Sequence, residues 1–175
     1  MVKPLAMTQS VIGRHRWATQ APPRPKPSTV LIATATSVAA LVVLVAVGKA
    51  TGETLLIPPL AASMALVVGA SGLPLGQPRN VIGGQLVSAA TGFVVLAVLG
   101  QNDWSAAIAG GLALGAMLLL RVPHSPAAAT AVIVAATSPK VVSFLLLLAA
   151  ATVILVLVGL VGNRINNQRY PIYWW

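Results

Sequence analysis

Ser63 and Thr130 occupy the same place in two copies of one short pattern. Ile57-Pro58-Pro59-Leu60-Ala61-Ala62-Ser63 and His124-Ser125-Pro126-Ala127-Ala128-Ala129-Thr130 superpose on a shift of 67 positions, which sets Pro59 on Pro126, Ala61 on Ala128, Ala62 on Ala129, Ser63 on Thr130 and Val67 on Val134. Proline suits the first turn of a helix, where its missing N–H has no intrahelical partner to lose. Each copy is therefore expected to start a helix with a hydroxyl about one turn inside. Free N–H groups and the positive dipole end make such a start a ready anion site. Brought together, the stretches Pro59 to Ser63 and Pro126 to Thr130 would offer a small anion main-chain N–H groups and the Ser63 and Thr130 hydroxyls. Proline-broken helices packed tightly through alanine, with nothing bound, would carry the same pattern.

Two further groups lie close in sequence to these starts. His124 stands beside a predicted helix break and titrates near neutrality in its unperturbed form. Ionisable residues at membrane depth are functional suspects by default, so His124 is a candidate to donate to an anion or carry a proton, and equally to bond a loop carbonyl and hold the break in shape. Gln77, Arg79 and Asn80 place polar and basic groups before an apolar run, where Arg79 either draws anions by its field or anchors topology.

What must position these residues is a membrane. Hydrophobic residues make up 57% of the 175 positions and charged residues 7%, against roughly 25% charged in an ordinary soluble domain. Six apolar segments follow a basic, proline-rich tail of residues 1–27: Thr29 to Gly48, Leu55 to Ser71, Val81 to Gly100, Ser105 to Leu120, Pro126 to Ser138 and Val141 to Val161. Four approach or reach the ~20 residues of a spanning helix, and the second and fifth fall short. The expected fold is an all-α membrane domain over 28–162, built from two long-short-long repeats at about 28–100 and 104–162, with an interfacial tail at 163–175. Short segments leave extended backbone at membrane depth, which is tolerated only where protein or a water-filled cavity satisfies it. Glu53 to Pro59 and Arg121 to Pro126 are the candidates to line such a cavity.

Charge sets the expected topology. With six crossings, nine of the eleven Lys and Arg residues fall on one side and only Lys49 and Lys140 on the other, together with Glu53 and Asp103. The positive-inside rule then puts both termini in the cytoplasm, and three crossings per repeat make the repeat an inverted one. With the short segments re-entrant instead, Arg79 and Arg121 join Lys49 and Lys140 outside. Basic residues at the ends of apolar blocks, rather than on one face, exclude nucleic acid as a partner.

The absences narrow the chemistry. No carboxylate lies inside any segment, so a carboxylate proton relay or an intramembrane hydrolase is not expected. Nucleotide motifs and cysteines are missing from the sequence, and neither an enzyme nor a cofactor is expected. Gly111 and Gly115 form G-x-x-x-G, a smooth face for packing within the chain or between copies in a homo-oligomer. Trp104, Tyr170, Tyr173, Trp174 and Trp175 suit the membrane interface.

Gln77-Pro78-Arg79-Asn80-Val81-Ile82-Gly83-Gly84 resembles the Q-P-R-N-x-x-G-G run of the HPP family, small membrane proteins named for a His-Pro-Pro motif. His124-Ser125-Pro126-Ala127-Ala128-Ala129-Thr130 is similar to the family's H-P-P-A-G-A-T, and the ending Arg169 to Trp174 is familial. The resemblance covers roughly Pro58 to Trp175. Ser125 replaces the first proline of the motif and Ala128 its glycine, which puts the shape of the turn beside His124 in question. Some members, in plant plastids and cyanobacteria, are described as nitrite transporters, so the resemblance implies inorganic anion transport and, by analogy, nitrite. The expectation is a transporter or channel-like facilitator in a bacterial or cyanobacterial plasma membrane. Its rivals are a membrane sensing or scaffold module and a carrier of a small neutral solute.

Overall fold

A computed structural model describes residues 23–175, so the expected basic tail of residues 1–27 lies outside the described residues except for 23–27. Among the described residues there are six α-helices and no strand: α1 (Pro27–Thr51), α2 (Pro58–Gly69), α3 (Pro78–Leu99), α4 (Asp103–Leu119), α5 (Ala128–Thr137) and α6 (Val141–Ile165). Turns of 3-10 helix, Pro74–Gly76 and Ser125–Ala127, precede α3 and α5.

Proline positions decide where the helices start. Pro27, Pro58 and Pro78 each stand at the first helical position, which moves α3 three residues ahead of the expected Val81 and draws Arg79 and Asn80 into its first turn. Pro126 differs from expectation: it falls within the 3-10 turn, and α5 proper opens at Ala128. Three helices, α1, α3 and α6, are long and apolar enough to cross a membrane. The fourth expected long segment is α4, whose 17 residues cover about 26 Å of a hydrocarbon core about 30 Å thick.

At the centre α3 packs on α6. Helices α1 and α2 complete one half against α6, and α4 and α5 complete the other against α3. Each half has its own apolar core: Leu44, Leu60, Met64 and Leu155 in the first, Ala109, Ala113, Met117 and Ala131 in the second.

Side-chain bonds fix which helix ends lie together. Asn166 donates to the Thr29 carbonyl (3.2 Å) and Asn163 to the Val67 carbonyl (2.9 Å), so the end of α6 meets the start of α1 and the end of α2. Gln101, just after α3, donates to the Ala136 carbonyl (2.6 Å) near the end of α5. Val122 lies against Gly83 near the start of α3. One end of the bundle, termed the terminal end, therefore holds the starts of α1 and α3 and the ends of α2, α4 and α6, with Lys26, Arg79, Arg121 and Arg164. The opposite end holds Lys49, Glu53, Asp103 and Lys140.

Candidate functional site

The extended link after α4 and its 3-10 turn carry His124 into the middle of the molecule, across a face of α3 made of small residues. A Cβ at Gly84 would sit 2.6 Å from the His124 Cβ and 2.9 Å from the Val122 carbonyl. One turn further, the Ser88 hydroxyl donates to the Ala127 carbonyl. A side chain at Gly84 would push the link, and His124 with it, off the helix.

Around His124 the structure gathers four side chains that are 0% exposed: Ser63, Gln85, His124 and Thr130. They form one chain of hydrogen bonds. Thr130 of α5 donates to the Gln85 carbonyl oxygen of α3. The Gln85 amide donates to the Ser63 hydroxyl of α2 (3.0 Å), and Ser63 lies 2.7 Å from His124 Nε2. His124 Nδ1 stands 2.7 Å from the Leu75 carbonyl. That carbonyl can only accept, so Nδ1 carries a proton. Each such bond at membrane depth contributes about 0.6 to 2 kcal/mol.

Of the residues the sequence put forward, Ser63, His124 and Thr130 come together, with Gln85 between them. Pro59 is buried, and its carbonyl lies 2.8 Å from the Ser63 hydroxyl. Ala62 and Ala129 are exposed, and Ala61 and Pro126 are half-buried beside the cluster's helices rather than in it. Sequence reasoning missed Gln85 as a site residue. Its signal was an amide two turns into a largely apolar helix, beyond the polar first turn, where an unpartnered polar group is costly.

The Gln77–Asn80 motif does a separate job nearby. Gln77 is fully buried and donates to the Ser71 and Leu73 carbonyls (2.8 and 3.0 Å), while its own carbonyl accepts from the Ile172 N–H (2.7 Å). Asn80 donates to the Pro74 carbonyl (2.8 Å) and approaches the Tyr173 hydroxyl (3.5 Å). Above them the Arg79 guanidinium lies 5.0 Å from the Trp175 ring centroid, in cation–π range, and Arg79 Nε is buried without a partner. The ending after α6 thus folds back over the start of α3, with Tyr170 sunk into the core. Gln77→Ala removes three bonds at once and frees this ending. Carboxypeptidase followed by intact mass should then trim the C-terminus at least about tenfold faster than in the unaltered protein, a 1.4 kcal/mol change in the opening equilibrium.

At the opposite end a cavity of about 400 Å³ opens among Glu53, Ile57, Thr137, Lys140 and Phe144. Ile57 on its wall immediately precedes α2, and Ser63 lies about 9 Å further along that helix.

The long apolar helices, with polar side chains buried and bonded among the helices, define an integral, multi-pass helical membrane protein. Residues 22–171 match the family described as HPP, transmembrane region, and the chain belongs to that family. It is 31% identical over 129 residues to a transmembrane protein of Dictyostelium discoideum, a match covering 69% of this chain and 42% of the relative. The chain thus spans less than half the length of that relative. No solved structure matches it.

Proposed function

We propose that the protein is a transporter or channel-like facilitator of a small inorganic anion, nitrite foremost and nitrate or another oxyanion next, built from two inverted repeats whose short helices carry the anion site. The observation that carries this reading is the bridge from Thr130 through Gln85 to Ser63, which joins the equivalent residues of the two repeats at the buried centre.

Packing supports the repeat. At Gly92 of α3 an added Cβ would meet Ala131 and Val134 of α5, and at Gly159 of α6 it would meet Met64 and Val67 of α2. Each of these three residue pairs is 67 apart, the shift at which Pro59 matches Pro126. Each repeat's third helix therefore packs on the other repeat's short helix in the same register. Helix directions agree, since α2 runs toward the terminal end and α5 away from it, as an odd number of crossings per repeat requires.

Charge supports an anion. The acidic residues Glu53 and Asp103 belong to the opposite end, where Glu53 shares a cavity wall with Lys140, and the cluster itself holds no carboxylate. An excess of Lys and Arg at the terminal end supports a cytoplasmic side for that end and for both termini, on the reading of a bacterial or cyanobacterial plasma membrane. Opening the cluster would let the Gln85 amide, the two hydroxyls and the helix starts replace an anion's water, with Arg79 and His124 adding positive potential. Alternating access between the repeats supplies the motion. A Cβ added at Gly111 or Gly115 would meet no neighbouring element within 4 Å, which leaves this face of α4 open to a second copy.

Enclosure of the cluster favours one other reading, a fixed scaffold or sensing module. Uptake of nitrite and nitrate into proteoliposomes separates the two. Saturable flux that falls at least about tenfold in a Ser63→Ala, Thr130→Val double variant is expected. No flux above empty liposomes from folded protein rejects transport of these anions, and equal uptake of a neutral solute such as urea moves the reading to a neutral carrier.

A further inference from the structure

The Ser63 hydroxyl has more partners than one proton can serve. It lies 2.7 Å from His124 Nε2, 2.8 Å from the Pro59 carbonyl and 3.0 Å from the Gln85 amide nitrogen. The amide nitrogen only donates and the carbonyl only accepts, so the hydroxyl takes one bond from Gln85 and has a single proton to give. Two arrangements satisfy it. With His124 neutral, Nδ1–H donates to Leu75 and the Ser63 proton points at the bare Nε2. With a proton added at Nε2, His124 donates to Ser63 Oγ, and the hydroxyl rotates its proton onto the Pro59 carbonyl. Nothing heavier than hydrogen moves, and every donor keeps an acceptor.

The second arrangement carries a full charge at the buried centre. An imidazolium there costs several kcal/mol without a counter-charge, and the surrounding elements hold none. Helices α2 and α5 and both 3-10 turns contain no titratable residue. The sole titratable residue of α3 is Arg79, lying against Trp175. The link before His124 contributes Arg121, α6 contributes Arg164, and the ending over the start of α3 contributes Arg169, Tyr170 and Tyr173, cations or neutral phenols, besides the main-chain carboxylate of Trp175, a residue 85% exposed beside Arg79. Helix α4 contributes Asp103 alone, in its first turn at the opposite end.

We propose that His124 couples proton binding to anion binding: the anion in the opened cluster is the counter-charge of the imidazolium, so the two are taken up together and the carrier is an anion–proton symporter. This rests on the anion reading above and adds its driving ion. Linkage makes the coupling reciprocal, so anion affinity falls as pH rises, and the His124 titration midpoint rises when anion is present. In each cycle one proton passes from water to Nε2 on the loading side and from Nε2 to water on the releasing side, with one anion, and no net charge moves.

Two measurements test it. In protein carrying His15→Ala, His124 is the remaining histidine, and ¹⁵N NMR in nanodiscs reads its tautomer directly. An Nδ1–H neutral form is expected, with a midpoint that nitrite, nitrate or formate raises by about one pH unit or more, equivalent to at least tenfold coupling. In proteoliposomes loaded with a pH-sensitive dye, nitrate uptake should acidify the lumen one proton per anion, since nitric acid is too strong to carry the proton through lipid itself. His124→Gln should abolish the acidification. A midpoint indifferent to all three anions, or nitrate flux without acidification, overturns the coupling and leaves transport standing. Absence of any anion flux from folded protein removes both.

Discussion

Valine at Gly92 or at Gly159 is expected to leave little protein that survives solubilisation, while alanine at Gly111 or Gly115 leaves the yield unchanged. At Gly92 the first added carbon already lies 2.8 Å from the Ala131 carbonyl oxygen and 3.0 Å from its Cα. Both are backbone atoms of a helix, which cannot step aside without breaking its own hydrogen bonds. At Gly159 the added carbon collides with the Val67 side chain, so alanine there allows partial escape by a rotamer change and valine does not. Overpacking a fitted interior costs about 1 to 3 kcal/mol where side chains can yield, and the Gly92 site should exceed that. Thermal unfolding in detergent, followed by tryptophan fluorescence, reads the order Gly92→Val worst, Gly159→Val next, Gly111→Ala and Gly115→Ala neutral. Equal tolerance at Gly92 and Gly111 would contradict the close α3–α5 contact on which the repeat argument rests.

Those glycines also show where sequence reading stopped. Helix starts were legible to within a residue or two, because proline marks a helix start in a way few residues do: α2 opens at Pro58, one residue before the expected Pro59, and Pro126 sits in the 3-10 turn that leads into α5. Gly92 and Gly159 keep the same 67-residue shift, yet a glycine inside an apolar helix has too many uses to stand out until its neighbour across the contact is known. Order was legible too, and length in part: α1, α3 and α6 are long and α2 and α5 short as expected, while α4 stops at 17 residues. The α3 start was misplaced because Arg79 and Asn80 look like a loop by polarity, although Pro78 is suited to open the helix that contains them.

At the site, residue types were easier to read than directions. Ser63 and Thr130 were identified by their place in the pattern, but Ala62 and Ala129, one residue earlier, face outward, since successive helical residues point about 100° apart. Gln85 joins the cluster from a helix that sequence alone cannot orient. Arg79 was read as either a charge that draws anions or a topology anchor, and its place beneath Trp175 depends on an irregular ending that folds back 95 residues away in sequence to bond Gln77. No local propensity encodes that return.

The strongest expected separation of stability from transport comes from the Gln85 bridge. Gln85→Met keeps the length of the side chain and removes its amide, leaving Thr130 without its acceptor and Ser63 without its Gln85 donor. An unmade buried bond costs about 1 to 3 kcal/mol, so this variant should unfold measurably earlier. The Ser63→Ala, Thr130→Val double variant strands the amide from the other side and should be comparably weakened. Combining all three removes every polar group of the bridge together, and apolar groups of similar shape replacing both partners are nearly neutral. The triple variant should therefore recover most of the lost stability, falling short by the bond that His124 Nε2 no longer shares with Ser63. Its anion flux should fall to near the level of empty liposomes, because every side-chain donor of the bridge is gone and the main-chain N–H groups of the helix starts are left to replace the anion's water without them. Stability that drops additively across the three changes would mean that the groups do not act as one network. Recovered stability with intact flux would place the anion path away from the paired helix starts altogether.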